Sequence, residues 1–81
     1  MQALLHSLPP RELPWRILDA GCGVGTESIF WSTLRDDIEV MGVDISKDRL
    51  DVAKTRKILY ERRLGKPLKI SFLQNEHFDV V

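Results

Sequence analysis

The chain has 81 residues, 43% apolar and 30% charged, with a formal net charge of zero. That apolar content is too high for a disordered segment, and no apolar run reaches the roughly 18–20 residues of a membrane helix. A single cysteine excludes an internal disulfide framework and the usual thiolate zinc sites, so no metal is expected. Domains usually run about 100–150 residues, so the length allows one domain at most and suggests part of one.

Neutrality hides a split. From Lys47 to Lys69 there are nine cations and three anions, and the remainder is correspondingly acidic. A basic segment can mark a nucleic-acid surface. Here Tyr60 is the only aromatic among the charges, so the stretch reads as a solvated helix face and nucleic acid is not indicated. Met1–His6 lacks the cationic and apolar regions of a secretory signal. A cytoplasmic location with no membrane partner is the expectation.

Residues 1–15 read as a lead-in. Leu4, Leu5 and Leu8 have helical spacing, Pro9, Pro10 and Pro14 interrupt, and Trp15 is expected to pack on the elements after it. Residues 16–81 read as a single α/β unit. Ile17–Ala20 is a short apolar run that predicts a buried strand. Gly21–Gly25 is a turn. A helix is predicted over Thr26–Leu34, with Ile29, Phe30, Thr33 and Leu34 as its apolar stripe.

Glu39–Asp44 predicts a second strand. Ser46 is a candidate N-cap for a helix over Lys47–Leu64, whose stripe of Leu50, Ala53, Tyr60 and Leu64 is interrupted by Lys57. Gly65 and Pro67 stop that helix. Lys69–Leu73 predicts a third strand, and Phe78–Val81 begins a fourth. Strands alternating with helices imply right-handed crossovers and a parallel sheet. The expected order is 3-2-1-4, with helices on both faces and a ligand site at the switch point between strands 1 and 4.

The stretch that carries chemistry is Asp19-Ala20-Gly21-Cys22-Gly23-Val24-Gly25. It joins a strand to a helix, where a nucleotide loop belongs. Glycines permit positive φ and a close backbone approach to a ligand. Asp44 ends the next strand, 19 residues after Gly25, where a carboxylate can accept from ribose hydroxyls. The dinucleotide fingerprint G-x-G-x-x-G would place its third glycine where this chain has Thr26, which weakens the reading of a fragment of an NAD-dependent oxidoreductase. An acid beside the loop repels a pyrophosphate and suits a cationic ligand such as S-adenosylmethionine, which carries an ammonium and a sulfonium.

Ile17–Thr26 resembles motif I of the class I S-adenosylmethionine-dependent methyltransferases. Val43-Asp44-Ile45-Ser46, followed by Leu50 and Ala53, is similar to their second motif, and Phe78-Asp79-Val80-Val81 to the start of their fourth strand. The resemblance covers about residues 16–81 and implies a Rossmann-like cofactor domain, cut short before the acceptor-binding residues. It implies that Asp19 and the loop of Gly21, Cys22, Gly23 and Gly25 hold the methionine moiety of S-adenosylmethionine. It further implies Asp44 on the ribose and Ile45 against the adenine face. Where the family has a longer loop reading the adenine amino group, this chain has Gln74-Asn75-Glu76-His77, so Glu76 and Asn75 are the candidates there.

Other residues read as passive. Cys22 has no partner base nearby in sequence and suits a glycine loop by its size. His77 has no identified partner, Glu27 complements a helix N-terminus, and Trp31 is a packing residue. No catalytic residue is identified. The alternative to a methyltransferase's cofactor-binding half is a non-catalytic module that associates, with itself or a partner, through an exposed sheet edge.

Overall fold

A computed structural model describes residues 13–75. Their elements are β1 (Trp15–Ala20), α1 (Thr26–Leu34), β2 (Ile38–Asp44), α2 (Lys47–Leu64) and β3 (Ile70–Gln74). The strands form one parallel sheet with β2 in the centre. Register runs from Trp15 opposite Ile38 to Ala20 opposite Val43, and from Val40 opposite Ile70 to Asp44 opposite Gln74. This is the 3-2-1 part of the expected order. The sheet has three strands here, because the fourth one expected over Phe78–Val81 lies outside the described residues, as does the expected helix around Leu4–Leu8.

Local chemistry fixes the helix ends. Ser46 caps α2 by accepting the Arg49 N–H at 3.3 Å. At the other end Gly65, at φ 72°, donates its N–H to the Glu61 carbonyl at 2.8 Å. The left-handed turn there is one that glycine adopts without a Cβ penalty. Gly25 begins α1 at φ 81° with no side-chain cap, and Glu27 places its charge in the first turn.

The core lies on one face of the sheet. Ile29 and Trp31 of α1 pack with Ile38, Val40, Ile70 and Leu68, and Trp15, Ile17, Leu34 and Phe72 close the margin. Burying one such aliphatic or aromatic side chain contributes about 1.5–3 kcal/mol. The buried side of α1 is Ser28, Ile29, Trp31 and Ser32, so Phe30 and Thr33, expected in the stripe, face outward.

A similar correction applies to α2. Leu50 and Ala53 are buried, but Tyr60 and Leu64 are exposed. Eighteen helical residues extend about 27 Å, whereas the five of β3 span about 17 Å. One strand cannot cover both ends. Beyond Ala53 the contact turns polar: Lys57 Nζ lies 3.9 Å from Glu61 Oε2, which also accepts the Leu68 N–H at 2.7 Å. That carboxylate ties the chain entering β3 back to the helix.

The other face of the sheet is open among the described residues. Leu18, Met41 and Leu73 are 49%, 46% and 52% exposed. Of the cover on both faces that the apolar strands predict, the described residues supply one side. Two successive right-handed crossovers that step the same way across a sheet put both helices on the same side, so neither reaches the open face.

Candidate functional site

The carboxyl ends of β1 and β2 build one constellation. The chain leaving β1 is pinned at once, as the N–H groups of Gly21 and Cys22 both donate to the Val43 carbonyl, at 2.7 and 3.0 Å. Gly21, Gly23 and Gly25 then take φ values of 70°, 57° and 81°, in the left-handed region. A side chain there costs roughly 1–2 kcal/mol, which explains three alternating glycines.

Asp44 organises this loop. Its Oδ2 accepts the Gly23 N–H at 2.8 Å and its Oδ1 accepts the Ser46 N–H at 2.9 Å. One carboxylate therefore joins the loop after β1 to the cap of α2. Asp44 is only 4% exposed, yet its carboxyl sits below the usual range. The Ser46 and Gly23 donors are the main causes and outweigh the cost of burying the charge. An ionised carboxylate has about four acceptor positions, and these two backbone bonds leave capacity over.

Asp19, at the end of β1, is held from the helix side, where buried Ser28 of α1 donates Oγ–H to Asp19 Oδ2 at 2.6 Å. The constellation thus carries two acids about a run of backbone N–H groups. Cys22 lies between them. Burial first, then the charges of Asp19 and Asp44, push its thiol up to about 11. It stays protonated at neutral pH and is a poor nucleophile, in keeping with a packing role.

The two sides of the loop differ. At Gly21 and Gly23 an added Cβ would meet nothing within 4 Å. At Gly25 it would lie 3.0 Å from the Ala53 Cβ and 3.1 Å from Phe72 Cζ. Phe72 stands opposite Gly42 in the register, and its ring occupies the place of a Gly42 side chain, 2.8 Å from where that Cβ would be. A single aromatic ring therefore floors the loop, a contact that no sequence motif announced.

The end of β3 closes the site on the Asp44 side. Asn75 donates its N–H to the Asp44 carbonyl at 3.1 Å, and Gln74 Nε2 donates to the Ile45 carbonyl at 3.2 Å. Ile45 is exposed beside them. Asp19, Gly21, Cys22, Gly23, Gly25, Asp44, Ile45 and Asn75 thus gather along one edge of the sheet. Glu76 and His77 lie outside the described residues. Sequence reasoning missed Ser28, Phe72 and Arg56, whose Nη1 reaches the loop from α2. A serine three residues after Gly25 was a usable signal for the first; the other two depend on contacts distant in sequence.

Comparison with known proteins fits this geometry. A family model described as a methyltransferase domain matches residues 18–81. An uncharacterized Synechococcus protein is 38% identical over 65 residues, covering 80% of this chain and 15% of that protein. A phycocyanin operon protein W of Pseudanabaena tenuis, also uncharacterized, is 46% identical over 41 residues, covering 51% of this chain and 39% of that one.

Among solved structures, the arsenic(III) S-adenosylmethionine methyltransferase of Chlamydomonas reinhardtii superposes with a TM-score of 0.69 at 27% identity, covering 93% of this chain and 31% of that one. The plantazolicin methyltransferase BamL, solved with SAH, gives a TM-score of 0.57 at 29% identity, covering 76% and 20%. The chain spans well under half the length of each of these proteins. No helix among the described residues is long and apolar enough to cross a membrane. With the family model reaching from the middle of β1 to the last residue, the chain belongs to the methyltransferase domain family.

Proposed function

We propose that this chain is the S-adenosylmethionine-binding portion of a class I methyltransferase, with residues 16–81 as the cofactor domain. The observation that carries the reading is the pairing of Asp19 and buried, ionised Asp44 around a left-handed glycine loop whose outer side is open at Gly21 and Gly23. The residues fit the group. A cation with a ribose diol needs carboxylate acceptors and backbone that approaches without a Cβ in the way. A pyrophosphate would meet two negative charges.

In this reading Asp19 and Gly21–Gly25 hold the methionine moiety, and Asp44 accepts from the ribose. Ile45 offers an apolar face to the adenine, with Asn75 at the adenine edge. When bound, S-adenosylmethionine would supply an electrophilic methyl group for in-line attack by the acceptor nucleophile, with S-adenosylhomocysteine as the leaving group. The residues of this chain bind and orient, the part of catalysis that depends on holding reactants at near-attack distance.

Calorimetric titration of the chain with S-adenosylmethionine tests the reading. Saturable heat that Asp44→Ala abolishes supports it, and a folded chain giving no heat overturns it. The open face with Leu18, Met41 and Leu73 favours a second reading, a non-catalytic module that binds a partner. That second reading gains if the folded chain binds no cofactor.

A further inference from the structure

The loop has a third anchor that neither motif includes. Arg56, half-buried on α2, donates from Nη1 to the Val24 carbonyl at 3.0 Å and to the Thr26 hydroxyl at 2.8 Å. Val24 O lies just before the Gly25 cap and Thr26 just after it, so one guanidinium nitrogen straddles the residue with the largest positive φ in the loop. One helical turn earlier, Ala53 packs against Gly25 from the same helix.

The loop is therefore gripped from behind by α2 through Ala53 and Arg56. From the strand side it is held by Val43 O and Asp44 Oδ2. Gly25 has no side chain with which to cap α1, and Arg56 holds the segment that a capping side chain would otherwise fix. The outer side of the loop, at Gly21 and Gly23, is anchored through backbone N–H groups alone and has open space where side chains would be.

We infer that Arg56 is a positioning residue for the cofactor loop: it sets the conformation of Val24–Thr26 from the far side and so holds the Gly23 region ready for S-adenosylmethionine without touching it. The inference rests on the cofactor reading above. Preorganisation of this kind lowers the ordering cost of binding. Both bonds are open to solvent, and loss of charge-assisted bonds of net strength about 0.5–1.5 kcal/mol translates into roughly 3- to 10-fold in affinity.

The test uses the full chain and S-adenosylhomocysteine as probe. Arg56→Met keeps most of the aliphatic stem and removes the donors. It is expected to weaken binding about 3- to 10-fold, with Arg56→Lys recovering part of the loss. Thr26→Val should weaken binding less, and should add nothing in the Arg56→Met background. Wild-type affinity in Arg56→Met, or full additivity with Thr26→Val, overturns the inference.

Amide hydrogen exchange on the ligand-free chain provides a readout independent of the cofactor. Faster exchange at Gly23 and Gly25 in Arg56→Met, with the amides of β2 unchanged, supports the clamp. Unchanged exchange at those glycines, or a uniform rise across the chain, overturns it. If the wild-type chain binds no S-adenosylhomocysteine, the cofactor reading fails while the exchange result still decides whether Arg56 holds the loop.

Discussion

The two sides of the glycine loop obey different rules. The inner side, at Gly25, leaves no room for a side chain, since a Cβ there would lie 3.0 Å from the Ala53 Cβ and 3.1 Å from Phe72 Cζ, while the outer side, at Gly21 and Gly23, opens onto free space. All three residues need a positive φ. At Gly25 the need is doubled by packing, so that glycine belongs to the fold. At Gly21 and Gly23 the missing side chains leave room that no described residue fills.

Substitutions can break or sharpen this contrast. Gly25→Ala should be the most damaging, because strain at positive φ adds to crowding against the Ala53 Cβ. A loss of about 2–4 kcal/mol is expected in urea denaturation, and a loss below about 1 kcal/mol would show that the inner side is loosely packed. Gly42→Ala lacks the φ penalty but drives a methyl to 2.8 Å from Phe72 Cδ1 and 3.0 Å from Cys22 Sγ. It should cost about 1–3 kcal/mol by overpacking.

Asp44→Asn probes the link between the two sides. It replaces a charged acceptor of two backbone N–H groups by an amide oxygen that satisfies one, at about 1–3 kcal/mol near neutral pH. The sign with pH is set by the lowered carboxyl. A group whose folded pKa is depressed stabilises above its unfolded value, near 3.9, and loses that contribution as pH falls through the folded value. The gap between wild type and Asp44→Asn should therefore shrink below about pH 4. A gap that widened in acid would overturn the assignment.

Gly23→Ala should cost only about 1–2 kcal/mol, from its φ alone, while cofactor affinity in calorimetry falls out of proportion. Equal losses at Gly23 and Gly25 in stability would erase the contrast. The smallest effect should come at Cys22. Its alkylation by iodoacetamide should stay slow through neutral pH and climb only as the pH nears about 11.

Much of the scaffold was legible in the sequence. Both helices span the expected residues, Thr26–Leu34 and Lys47–Leu64; for α2 the Ser46 and Gly65 signals fix both ends, because caps act within a few residues of the chain. The strands shifted by one or two residues, as apolar runs mark a strand more clearly than its ends. The site was legible as a set of positions, since Asp19, the three glycines and Asp44 are fixed by the order of elements.

What escaped was everything that depends on register or on crossing between elements. Phe72 meets Gly42 only once β2 and β3 are paired, and Arg56 meets Val24 across 32 residues. The outward-facing Tyr60 and Leu64 escaped for a related reason: helical periodicity says which side of α2 is apolar, but not how much sheet lies beneath it.

The ring of Phe72 has one more consequence. Because it fills the space of a missing side chain at Gly42 and lies against Gly25, the volumes at positions 25, 42, 53 and 72 form one shared total. Across related chains these positions should change together, a larger residue at 42 appearing with a smaller one at 72. In the laboratory, Phe72→Leu should rescue part of the damage done by Gly42→Ala while being harmful alone.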